Sequence, residues 1–227
     1  MKLVWSPETA SKAYIDTVKS CKIFRESGVA ELVSAMAAGW NAKFIVEAWS
    51  QGGPIATSVG LAVASRHTGG RHACVVPDER SRTEYLRALG DAGIATAATE
   101  VFVGEPEEVM ESLAGADFVV VDCKRKDFAR VLRLAVAELS QKGAVVVCKN
   151  ASSKNAAGFR WRSVVVDGGS RRLVRSVFLP VGNGLDMAHV GAIGGGGGGG
   201  SSGPAKGEGR WIKHVDQRSG EEHVIRK

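Results

Sequence analysis

None of the four cysteines, Cys21, Cys74, Cys123 and Cys148, stands in a C-x-x-C pair or at a metal-ligand spacing. That excludes the common zinc and dithiol motifs. Three of the four sit in or beside apolar strand-like runs, which reads as structural, reduced thiols. The five histidines (His67, His72, His189, His214, His223) share no ligand spacing, so none is assigned a catalytic role. No apolar run is long enough to cross a bilayer, and the opening MKLVWSPET lacks a signal-peptide core. The expectation is a cytoplasmic protein with no membrane contact. The dinucleotide fingerprint G-x-G-x-x-G is missing, which ranks a nucleotide-binding oxidoreductase last among the candidate activities. A basic stripe is missing too. The formal charge is +6, but the densest clusters, Lys124 to Lys126 and Arg171 to Arg175, are short. They read as solvated surface, so nucleic acid is not an expected partner.

What is present is a repeating α/β pattern in a chain of 227 residues with 44% hydrophobic content, ample for one core. The stretch from Asp117 to Asn150 is the most informative. An apolar strand ends in Asp122, and an amphipathic helix follows with Phe128, Val131, Leu132, Ala135 and Leu139 at helical spacing. Gly143 then opens a second apolar strand ending in Lys149 and Asn150. This is a parallel βαβ unit. Ligands of open parallel sheets bind at the carboxyl ends of strands, so Asp122, Lys149 and Asn150 are the first candidates for chemistry.

The same alternation runs through the chain. Ser6, Pro7 and Glu8 form a helix start of N-cap, first-turn proline and early negative charge. A second helix is expected over Glu26 to Ala38 and a first core strand over Lys43 to Trp49. The turn SQGGP leads into a small-residue helix, followed by strand HACVVP, a helix from Ser81 to Ala92, strand TEVFV and a short helix from Pro106. Right-handed crossovers place helices on both faces of a doubly wound, mostly parallel Rossmann-like sheet. After Asn150, WRSVVVDGGSRRLVRSVFLP reads as two strands around Asp167-Gly168-Gly169, and LDMAHV as a third. Antiparallel strands therefore close one edge. Three segments result: an α/β domain over 1–192, a glycine-rich flexible linker over 193–209 and a hairpin tail over 210–227. An isolated hairpin is marginal in water, so the tail is expected to dock on the core or on a protein partner.

Four strings carry a family resemblance. ESGVAELVSAMAAGWNAKFIVEAW, VVVDCKRKDF, GAVVVCKN and SVFLPVGNGLDMAHV resemble, in order, four parts of one fold. That fold is the class I S-adenosylmethionine (SAM)-dependent methyltransferase. The parts are its leading helix and first strand, its fourth strand, its fifth strand and its terminal hairpin. The relatives in view are the small metal-dependent O-methyltransferases of the caffeoyl-CoA and catechol type. Taken whole, including SPETASKAY and WIKHVD, the chain resembles a plant family of uncharacterised methyltransferase-like proteins.

The resemblance implies SAM as cofactor and a small-molecule acceptor whose identity stays open. It implies cofactor contacts from Glu47, Gly53, one of Asp78 or Glu79, and Asp122. Trp49 stands where a glycine is expected, and it either lines or fills the cofactor site. In the family's metal site, Asp122 and Asn150 match ligand positions, but Lys149 replaces an aspartate. An ammonium has no lone pair to donate, so no metal is expected. An ion pair between Lys149 and Asp122 is expected in its place.

The residues support plainer readings as well. Glu47 can simply end a strand, Asp122 and Lys149 can form a structural ion pair, and Trp5, Trp40 and Trp161 read as packing residues. Two functions stay open: a metal-independent methyltransferase using Asp122, Lys149 and Asn150, or a non-catalytic scaffold of the same fold that binds a protein or nucleic acid.

Overall fold

The computed structural model describes residues 5–22, 24, 28–50, 52–165, 171–192, 211–215 and 222–226. The chain divides into two units, Met1–Gly194 and Gly195–Lys227.

The larger unit opens with α1 (Pro7–Ser20) and α2 (Val29–Gly39). At the start of α1 the Ser6 hydroxyl accepts from the Thr9 amide at 3.4 Å, with Pro7 at the first helical position. Strand β1 (Phe44–Ala48), helix α3 (Ala56–Thr68), strand β2 (Arg71–Val76), helix α4 (Glu79–Asp91) and strand β3 (Glu100–Val103) follow. A short helix α5 (Pro106–Val109) runs on as a 3-10 turn, Met110–Leu113. Then come β4 (Phe118–Asp122), α6 (Phe128–Ala137), β5 (Ala144–Lys149), α7 (Trp161–Val165), β6 (Leu173–Leu179) and β7 (Leu185–Val190).

The sheet order is β3-β2-β1-β4-β5-β7-β6. The first five strands are parallel, and β7 and β6 pair antiparallel at one edge. The chain moves outward from β1 to β3 and then returns to place β4 beside β1. The β1/β4 boundary is therefore the topological switch point, where ligands of such sheets bind.

Period-two alternation splits the strands between two cores. Ile45, Cys74, Val76, Val120 and Val147 face α1 to α4, and Val46, Val75, Val121, Val146 and Cys148 face α5 to α7. Close packing on the first face depends on Gly60 of α3, where a Cβ would lie 2.6 Å from the Ala30 carbonyl oxygen of α2. All four cysteines are free and buried. Among the described residues no helix is long and apolar enough to cross a membrane.

One expected strand is a helix. The run WRSVV has the β-branched content of a strand, but it forms α7 and buries Trp161, Val164 and Val165. Those positions are i, i+3 and i+4, the single face of a helix, and Trp161 Nε1 donates to Asp186 Oδ1 at 2.7 Å. Burial of that face against the second core outweighs local strand preference. The expected turn at Asp167-Gly168-Gly169, the linker and the turn at Arg218-Ser219-Gly220 lie outside the described residues. In the smaller unit, β8 (Trp211–Val215) pairs antiparallel with β9 (Glu222–Arg226).

Candidate functional site

Glu47 lies near the end of β1, Asp122 at the end of β4 and Lys149 at the end of β5. Register brings them together. Asp122 is the direct partner of Lys149, and Glu47 pairs with Val120, two residues before Asp122. Residues two apart on a strand share a face, so all three side chains point to the α1–α4 side.

There Lys149 Nζ stands 3.8 Å from Glu47 Oε1 and 3.9 Å from Asp122 Oδ2. All three side chains are buried. The ammonium thus bridges two carboxylates across three strands, at distances longer than a hydrogen bond. Neither Glu47 oxygen nor Lys149 Nζ has a hydrogen-bond partner among the described residues.

Asp122 is otherwise well held. Its Oδ1 accepts from the Lys124 amide at 2.9 Å and from Asn150 Nδ2 at 2.8 Å. Asn150 reaches it from the left-handed region, at φ +58°, a conformation asparagine tolerates better than most residues. Each Asp122 oxygen therefore faces N–H groups.

A second ring of residues surrounds Glu47. His72 of β2 is buried, with Nε2 3.8 Å from Glu47 Oε2 and Nδ1 3.1 Å from the Thr99 hydroxyl. Burial by itself pushes Glu47 up. His72, Lys149 and the Ser58 hydroxyl act in the opposite direction and leave the carboxyl below its ordinary range. Burial and the Glu47 charge together push the neighbouring Cys74 thiol well up. Tyr85 is pushed well up by burial, then by Cys74 and Glu47. Cys148 is raised by burial and by Cys123. Thiols shifted this way are poor nucleophiles.

Trp49 follows β1 and is buried, its ring edge-on to Tyr85 at 5.6 Å between centroids. Its Nε1 has no partner among the described residues, and the same holds for the buried Ser50 Oγ. Arg125 ties this loop to the one after β4, because Nη1 donates to the Trp49 carbonyl at 3.3 Å while the rest of the guanidinium holds Asp127. Gly53 closes the turn with its amide on the Ser50 carbonyl at 2.8 Å, and a Cβ there would lie 2.7 Å from that oxygen.

The structure thus gathers Glu47, Asp122, Lys149 and Asn150, with Trp49 and Gly53 on the adjoining loop. Asp78 and Glu79 are placed differently. Asp78 is exposed and caps α4, its Oδ1 accepting from the Ser81 amide at 2.7 Å, and Glu79 is exposed beside Arg82. Sequence reasoning missed His72, Ser58, Tyr85 and Arg125. Only the alternation in HACVV, which puts His72 and Cys74 on one strand face, carried a usable signal.

Several solved structures similar to this chain are methyltransferases. One from Geobacter sulfurreducens is 20% identical, with a TM-score of 0.55 over 79% of this chain and 88% of that one. A Bacillus cereus O-methyltransferase solved in complex with SAH (S-adenosylhomocysteine) is 14% identical, at TM-score 0.54 over 83% and 93%. An SAH-bound Podospora anserina methyltransferase is 13% identical, at 0.54 over 81% and 88%. At these identities the likeness establishes the fold, a methyltransferase-type Rossmann-like sheet. No curated protein matches the chain. The family model that matches spans residues 1–227, and the chain belongs to the family it describes, Protein of unknown function (DUF1442).

Proposed function

We propose that this chain binds SAM at the carboxyl ends of β1, β4 and β5 and acts as a metal-independent, methyltransferase-like protein toward a small-molecule acceptor. The observation that carries this reading is the buried Glu47–Lys149–Asp122 array at the switch point, with its unsatisfied polar atoms. Two carboxylates against one ammonium leave local negative charge, which suits a sulfonium ligand. The unpartnered Ser50 Oγ and Trp49 Nε1 beside them are polar groups that a polar ligand would satisfy. Glu47, Asp122 and the Trp49–Gly53 loop would hold the cofactor. Asp78 would contribute only by leaving its capping position.

When bound, SAM supplies a methyl group on a sulfonium centre. The chain's own part is positioning and charge. Asp122, fixed by Asn150 and the Lys124 amide, holds negative charge at one place. Lys149 offers N–H groups to an acceptor oxygen that gains charge as it attacks. The donor set does not fit a divalent cation, because Asn150 and the Lys124 amide occupy one Asp122 oxygen and the Lys149 ammonium faces the other. The buried reduced thiols and the plant methyltransferase-like resemblance favour a cytoplasmic protein.

A second reading rests on Trp49. Its indole is buried on Tyr85, and it can close the cofactor site permanently, leaving a scaffold that binds a protein or nucleic acid. Isothermal titration of the full chain separates the two. SAM and SAH are expected to release heat at a single site, SAM binding the tighter, with NAD silent and Mg²⁺, Mn²⁺ or chelator without effect. Silence from both SAM and SAH would discard the first reading in favour of the scaffold.

A further inference from the structure

Strand β6 lies at the edge of the seven-stranded sheet, and among the described residues no strand pairs with its outer side. The backbone N–H and C=O groups on that side can accept a further strand. Register sorts the side chains of β6. Val177 and Leu179 lie opposite Met187 and Leu185 on the first core, and Arg175, two residues before Val177, shares their face. Ser176 and Phe178 take the other face, where with Phe159, Arg160 and Arg162 they line a trough of ≈ 380 Å³ beside α7. Phe178 is 51% exposed there, and Val174 near the start of the strand is 60% exposed.

The charges along this edge are of one sign. Arg160, Arg162, Arg172 and Arg175 are exposed, and among the described residues none of them pairs with a carboxylate. Arg160 donates to the Phe159 carbonyl at 2.9 Å. The acidic side chain that lines the trough, Asp186, accepts from the Trp161 indole at 2.7 Å. Each feature fixes one property of an occupant. An open strand edge is satisfied by another backbone, which nucleic acid and lipid do not offer. Val174 and Phe178 call for apolar side chains at alternate positions, and the unpaired guanidiniums select acidic ones. The two occupants available within the chain fail that last condition. A second copy sets arginines against arginines, and like charges facing across strands destabilise the pairing. The tail, residues 210–227, carries five basic and three acidic side chains.

We propose that the β6 edge and the trough beside it bind an extended acidic segment of a partner protein, which adds to the sheet as a further strand. Its backbone completes the ladder along Arg175–Leu179, beyond the irregularity between Leu173 and Arg175. Its acidic side chains meet Arg175 on one face and Arg160 and Arg162 on the other. The surface uses none of the residues of the Glu47–Lys149–Asp122 array, so the proposal holds under either reading of that site.

Fluorescence anisotropy with the full chain tests this, using three labelled decapeptides as probes. One alternates valine and glutamate, and one alternates valine and lysine. The third is the acidic peptide with two valines replaced by proline, which keeps the charge and removes ladder donors. The acidic peptide is expected to bind at one site, with the other two at least about tenfold weaker. Arg162→Glu and Arg175→Glu should each weaken it about three- to tenfold and leave melting unchanged, since both side chains are exposed. The double variant should prefer the lysine peptide. Hydrogen exchange at the outward amides of β6, fast in the free chain, should slow when the acidic peptide is bound. Equal binding by the proline peptide would reduce the interaction to charge alone and overturn the proposal, as would no binding or indifference to the arginines. Outward amides already protected in the free chain would assign the edge to the tail or a second copy. Tighter binding of polyuridylate or phosphatidylserine vesicles at the same arginines would assign them to that anion, and either result rejects the peptide.

Discussion

Replacing Lys149 by methionine removes the ammonium while nearly preserving side-chain volume. Glu47 Oε1 at 3.8 Å and Asp122 Oδ2 at 3.9 Å then lose their shared cation. At an effective dielectric near 20, each contact is about 4 kcal/mol of Coulomb attraction, largely offset in the native chain by the cost of burying the ammonium. Breaking such a buried pair from one side costs about 3–5 kcal/mol, because a charge stays buried without a partner. For a unit of this size that is a fall of about 6–20 °C in melting temperature.

The pH dependence gives a second check. In the native chain Glu47 titrates below its ordinary value of 4.5, so its contribution is fully present above that value and is lost as pH falls through the folded one. Without Lys149 one of the influences that hold the folded value down is gone, so the folded value moves up. The variant then keeps less of that contribution once the pH stands above both folded values. The gap in melting temperature between the two proteins should therefore widen as pH rises from below the native folded value of Glu47 to above that of the variant. Differential scanning calorimetry at several pH values measures it. A small, pH-independent gap would mean that the array contributes no net charge interaction, and the reasoning would fail.

Trp49→Gly should destabilise the chain by about 3–5 kcal/mol in urea denaturation, since it empties a buried indole site beside Tyr85. If that indole obstructs the cofactor site, the same variant should bind SAH more tightly by titration, and equal or weaker binding would clear Trp49 of that role. Gly60→Ala should cost about 1–3 kcal/mol, because the new methyl meets the Ala30 carbonyl oxygen at 2.6 Å; unchanged stability would show that α2 and α3 separate freely. A chain ending at Ile193 should keep a single cooperative melt, as the larger unit holds the seven-stranded sheet and both cores; loss of that transition would make the tail part of the fold.

Local chemistry made much of this protein legible before any coordinates. Runs such as FVVVD and AVVVCK can satisfy their apolar content only in a doubly covered sheet. The helix between them carries its apolar stripe at helical spacing, and Ser6-Pro7-Glu8 marks a helix start by capping rules alone. Together these define the α/β class and put Asp122, Lys149 and Asn150 at strand ends. Local chemistry fails where burial decides. WRSVV has strand-forming residues, yet the second core buries it as α7 on Trp161, Val164 and Val165.

The arrangement of the site belongs to the tertiary structure. Glu47 and Lys149 lie 102 positions apart in sequence, and only the β1-β4-β5 order with its register sets them on one face. His72 joins them because β2 flanks β1 on the other side. The placement of Trp49 was equally invisible: the same indole can line a ligand or fill a core, and only the coordinates show it buried edge-on to Tyr85 of α4. A sequence records which side chains alternate along each strand. It does not record strand order or register, which are determined by how two cores close around the sheet, and those are what turned scattered Glu47, His72, Asp122 and Lys149 into one buried array.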